Sequence, residues 1–255
     1  MALTTIETVA LGTVAGGTVY LGLPVARFSV SKRTTNLLNG GAIGVLLFLL
    51  VDILHGALAP VEKAIETTTK TGAVHLALPL ALVLGFTVSL VGLAWFSDHY
   101  VSSQPGAQMT ALMVAIGIGL HNFSEGLAIG QSAATGAISL AVVLLIGFAL
   151  HNITEGFGIA APLTNTQTST RRLAGLGLIA GGPTFLGTIV GESWTSPVAS
   201  VLFLALAGGA LIYVIQELFA IDHSAVTRSA LFSSVAAGFL IGFTTELAVH
   251  LSMTA

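Results

Sequence analysis

The chain has 255 residues, of which 54% are hydrophobic and only 7% charged, with a mean hydropathy of +0.95. Soluble domains carry roughly 25% charged residues, so this composition excludes a soluble globular fold and a nucleic-acid binder and points to an integral membrane protein. The net charge of −3 says little beyond that, and with no cysteine the chain has neither disulfides nor thiolate metal ligands.

Breaks in hydropathy predict eight membrane-spanning helices at about 4–25, 37–58, 73–96, 109–132, 138–162, 173–193, 198–221 and 229–252. The first segment lacks a basic leader and reads as a retained helix. Continuous apolar runs of this length exclude a β-barrel, whose strands would alternate with period two. No hydrophilic stretch is long enough for a separate soluble domain, so residues 1–255 read as one transmembrane domain. The odd-numbered loops carry Arg27, Lys32, Arg33, Arg171, Arg172 and Arg228, and the even ones only Lys63 and Lys70. By the positive-inside rule the odd loops are cytoplasmic and both termini outside. Small residues such as Gly12 with Gly16, and Gly187 with Gly191, suit close helix packing. Pro79 and Pro183 are expected to kink the third and sixth spans.

Two spans carry a duplicated polar motif. His121-Asn122-Phe123-Ser124-Glu125-Gly126 recurs 30 residues later as His151-Asn152-Ile153-Thr154-Glu155-Gly156, and the likeness extends from Ile116/Ile146 to Ile129/Ile159. One hairpin turn separates the copies, so the two helices run antiparallel. A turn centred near Ala137 or Ile138 would bring His121 level with Glu155 and Glu125 level with His151; a centre nearer Gly136 would offset them by about one turn of 5.4 Å. In each copy His at i and Glu at i+4 share a helix face.

No Lys or Arg falls inside a predicted span, so the carboxylates there have no basic partner, and positive charge must come from a metal ion or protons. Two imidazoles and two carboxylates facing each other suit a divalent transition metal such as zinc, iron(II), cobalt, nickel or manganese better than calcium or magnesium. Asn122 and Asn152 flank the set and could add carbonyl oxygens, and bridging carboxylates would allow a second metal. Candidate pathway residues are Asp52 and His55 near the outer end of the second span, Glu192 in the sixth, and Glu217 late in the seventh. Glu192, and Glu246 with His250 at i,i+4 in the eighth span, could be vestibule ligands, with a place at the wet interface as the alternative. His75, His99 and His223 stay unassigned.

These residues resemble the ZIP (Zrt/Irt-like) family of divalent metal transporters, prokaryotic in type. The likeness covers most of the chain and rests on 121–130, 151–156 and Gly209-Ala-Leu-Ile-Tyr-Val-Ile-Gln-Glu217. It implies a multi-pass cell-membrane protein, a homodimer that carries zinc-like ions inward by an elevator-like or rocking motion. The site would lie between helices four and five, with His121, Glu125, His151 and Glu155 at the primary position and Asn122 and Asn152 beside a neighbouring one. The chain departs from many relatives in having Ser124 and Thr154 where they have proline. It has Thr184 at the sixth-helix position where some have an acidic ligand for a second metal. Its third loop also lacks a His-rich stretch. Zinc or iron(II) transport, without enzymatic activity, is the leading expectation. A membrane-embedded metal-dependent enzyme or sensor, and a proton- or sodium-coupled cation antiporter, are the alternatives.

Overall fold

The computed structural model describes residues 3–28, 30–71, 76–100 and 106–254; His75 lies outside them, as do the side chains of Lys70 and His250. Among the described residues there is no strand, and eight helices are long and apolar enough to cross a membrane. They are α1 (Thr5–Gly17, continued by short turns to Arg27), α2 (Lys32–Thr71), α3 (Ala77–Tyr100), α4 (Ala107–Ala134), α5 (Ile138–Ala160), α6 (Thr170–Ser193), α7 (Pro197–Phe219) and α8 (Arg228–Thr254). The protein is thus an all-α multi-pass membrane protein.

Local chemistry sets the helix ends. Thr4 and Glu7 form a capping box on α1. Ser169 and Ser196 cap α6 and α7 through their hydroxyls, and Pro197 opens α7 at a position that needs no amide hydrogen. The α4–α5 hairpin closes on Gly136 at φ +77, the left-handed conformation that ends many helices. There Gly136 N donates to Ala133 O at 3.0 Å and Ala137 N to Ser132 O at 2.9 Å.

Two expectations need correction. Lys63 is not in a loop, because α2 runs on through Pro60 for 40 residues, about 60 Å or twice the bilayer core. Asp52 and His55 therefore sit mid-helix and not at a helix end. Pro79 makes no kink, since it falls in the first turn of α3, where backbone N–H groups have no helical partner anyway.

Packing groups the helices into two bundles that are joined where α4 lies against α7. α4 packs most extensively on α6, while α1 lies against α5 and α6; α7 packs on α2 and α3, and α2 on α8. α4 is the central element: 72% of its membrane-crossing window is buried in protein, against 22% for α3 and 17% for α8. Leu80, Val83, Leu84, Val88 and Val91 of α3 are exposed, which suits a helix turned to lipid. The first, fifth and seventh loops meet on one face, where Lys32 pairs with Asp222 at 2.6 Å and Arg27 bonds Thr170.

The first bundle contains a second internal repeat. At a spacing of 165 residues, Thr5, Leu11, Gly12, Ala15, Gly16, Gly17, Leu21 and Gly22 of the first span recur as Thr170, Leu176, Gly177, Ala180, Gly181, Gly182, Leu186 and Gly187 of the sixth. The contacts obey the same symmetry. A Cβ on Gly16 would strike the carbonyl oxygen of Gly181, and one on Gly181 would strike that of Gly16. The α1–α5 and α6–α4 pairs are therefore inverted copies of each other, meeting at the Gly16–Gly181 contact.

Candidate metal site

Each copy of the duplicated motif projects its His and Glu from one helix face toward the other copy. All six polar residues, His121, Asn122, Glu125, His151, Asn152 and Glu155, are buried. His121 Nε2 stands 3.1 Å from Glu125 Oε1 on its own helix and 3.4 Å from Glu155 Oε1 across the hairpin. The turn is centred on Gly136, which offsets His121 and Glu155 by about a helical turn. Side chains lean toward the N-terminus of their own helix, so in an antiparallel pair they lean toward each other and close the gap.

His151 belongs to the same region without the same contact. It shares the wall of a cavity of about 230 Å³ with His121 and Glu125, yet among the described residues it makes no ion pair. Neither of its ring nitrogens has a hydrogen-bonding partner in the protein, and the carboxylates of Glu125 and Glu155 are left with the ion-pair contacts of His121. Among the described residues no three His, Asp or Glu side chains already surround a common point as a ligand set. Instead, the His121 nitrogen stands between the two carboxylates. A cation there requires that imidazole to turn its lone pair inward and His151 to close from the other side. Such side-chain rotations cost little beside leaving buried donors unpaired.

The cavity extends beyond the duplicated motif. Asp52 and His55 of α2 line it, joined by Glu246 of α8, so that it lies between the two bundles. Both α2 residues are exposed at its rim, and Glu246 is half-buried. Glu192 and Glu217 are half-buried too, but neither lines this cavity. Glu246, which the sequence pairs with His250 at i,i+4, lines the cavity, while the side chain of His250 lies outside the described residues.

The asparagines are tied elsewhere by their amide nitrogens. Asn122 Nδ2 donates to Ala180 O of α6 at 3.1 Å, and Asn152 Nδ2 to Ala15 O of α1 at 2.9 Å, while both Oδ1 atoms lack a partner. Ser124 and Thr154, in place of the prolines of many relatives, donate their hydroxyls to His121 O at 2.7 Å and His151 O at 2.6 Å. Both helices stay continuous through the motif. Thr184 is buried on α6, its hydroxyl oxygen without a partner.

Four buried donors with no basic side chain near them, inside an eight-helix membrane bundle, are the chemistry of a protein that handles cations. No curated protein matches the chain. The ZIP zinc transporter family, however, matches it over residues 97–250, which spans α4 to α8 and both motif copies. The chain belongs to the ZIP family, and is a multi-pass membrane protein that transports divalent metal ions.

Proposed function

We propose that the chain carries zinc or iron(II) into the cytoplasm through a site made by His121, Glu125, His151 and Glu155, with the metal as cargo and not as a catalytic cofactor. The reading rests on one observation: His121 meets Glu125 and Glu155 in a buried setting where no Lys or Arg offsets the carboxylates. Two carboxylates balance a divalent charge, and two imidazoles give the borderline-soft character that favours zinc and iron(II) over magnesium. Asp52 and His55 at the cavity rim would receive the ion, and Glu192 and Glu217 would serve the route at its two ends. Inward direction is what the family resemblance implies, and the basic residues of the odd loops orient the chain with both termini outside. The working unit is a homodimer of single-domain protomers covering 1–255, as the family resemblance implies. A second ion would have to rest on the Asn122 and Asn152 oxygens and share the same carboxylates.

Uptake of zinc and of iron(II) into proteoliposomes tests the assignment. His121→Ala and Glu155→Ala should each reduce uptake at least tenfold. Flux equal to wild type in both variants would refute the site, and flux that survives loss of both histidines would favour an acid-only cation exchanger.

A further inference from the structure

The motif His-Asn-x-x-Glu-Gly carries two stripes and not one. His and Glu, four apart, face the cavity; Asn and Gly, also four apart, lie about 100° further round the helix. In α4 the second stripe lies on α6, with Asn122 bonded to Ala180 O and Gly126 against Thr184 O. In α5 it lies on α1, with Asn152 bonded to Ala15 O and Gly156 against Val19 O. The acceptors are again four apart, and the two sets are related by the 165-residue repeat.

Each acceptor helix lacks a regular i→i−4 backbone bond near this point. α1 breaks at Thr18, whose N and Oγ1 both turn back onto Ala15 O at 3.2 and 2.6 Å. α6 has Pro183 at the equivalent position, which removes the amide that would bond Ile179 O. The asparagines thus dock within one residue of a carbonyl that has lost its regular helical partner or is shared with Thr18.

We propose that Asn122 and Asn152 are positioning residues, each anchoring its helix by the amide nitrogen to a carbonyl at the break of α1 or the proline of α6, and so setting the rotation of the His/Glu stripe. Because a carbonyl can only accept, the amide cannot flip. Its Oδ1 is held unpartnered on the buried side, an oxygen oriented by the docking bond. This inference builds on the metal site proposed above, but its anchoring half is independent of any metal.

Alanine and aspartate replacements at 122 and 152 separate the roles. Aspartate keeps an oxygen ligand and in its ionised form presents only lone pairs to the carbonyl, whereas alanine removes both. On purified full-length protein stripped of metal, anchoring predicts that Asn122→Asp and Asn122→Ala both lower Tm by about 2–6 °C, and the same at 152. Positioning further predicts that the Co(II) d–d spectrum changes in both, since the imidazoles and carboxylates are re-aimed. Asn152→Ser, which retains a hydroxyl donor, should show an intermediate Tm and serves if an aspartate variant does not fold. An unchanged metal-free Tm, with the aspartate variants binding Co(II) like wild type, would make these residues ligands only and overturn the proposal. A lowered Tm with an unaltered Co(II) spectrum would reduce them to packing and overturn it equally. Should wild type show no Co(II) band, the metal site itself fails, and the metal-free Tm still decides the anchoring.

Discussion

At the scale of single residues, hydrogen-bond direction fixes chemistry that residue type leaves open. His223, in the loop after α7, shows this on the odd-loop face. Asn39 Nδ2 donates to Leu218 O at 2.9 Å and stands 2.7 Å from His223 Nε2. A nitrogen already donating to a carbonyl requires His223 Nε2 to be the acceptor, and so the ring to be neutral. Loss of solvent also favours the neutral ring and holds its pKa below the usual histidine value. A histidine with a depressed folded pKa contributes stability above its unfolded value of about 6.5, and that contribution is lost as pH falls toward the folded one. The neighbouring Asp222 is lowered chiefly by its hydrogen bond from Lys32, so it stays charged throughout this range. The Tm of wild type should therefore fall between pH 7 and pH 5 more steeply than that of His223→Gln, which keeps an acceptor but cannot titrate. Parallel curves would contradict the neutral-acceptor assignment.

Among elements, close backbone approach replaces hydrophobic burial as the source of cohesion, because lipid is as apolar as the helix surfaces it would compete with. A Cβ on Gly156 would meet Val19 O and come within 2.9 Å of Gly22 Cα, and backbone there cannot swing aside. Gly156→Ala should cost about 1–3 kcal/mol, seen as a drop in Tm, while Gly175→Ala, whose Cβ meets nothing within 4 Å, should be neutral or slightly stabilising. Equal Tm values for the two variants would contradict the α1–α5 contact.

The same contrast explains how much of the structure was legible in the sequence. Among the described residues His151 makes no contact with Glu155 like that of His121 with Glu125, which could be read because i,i+4 spacing is a sequence property. The Asn-Gly stripe could not, since its acceptors are backbone carbonyls on helices 58 and 137 residues away. Its trace was nonetheless present, as Ala15-Gly16-Gly17 repeated in Ala180-Gly181-Gly182. The mid-helix position of Asp52 and His55 was missed for another reason. Hydropathy falls after Pro60 but helix propensity does not, so the apolar run ends long before the helix.

For the whole molecule, the decisive feature is that the cavity lies between two bundles. α4 and α5 supply His121, Glu125 and His151, while α2 and α8 supply Asp52, His55 and Glu246 across the gap. If transport moves one bundle against the other, a tether between them must stop it. Thr35 of α2 and Thr164, just past α5, bring their hydroxyls to 3.2 Å on the odd-loop face, and the chain has no native cysteine to interfere. Replacing both with cysteine should give a disulfide that blocks metal uptake and a reductant that restores it; full flux through the cross-linked protein would rule out relative motion at this seam.

The central claim, that histidines from two antiparallel membrane helices reach one ion, is open to a direct spectroscopic measurement. X-ray absorption of the zinc-loaded protein should show a nitrogen and oxygen shell at about 2.0–2.2 Å with outer scattering from two imidazoles, falling to one in His121→Ala and in His151→Ala. Spectra without imidazole scattering, or unaltered by either substitution, would contradict it.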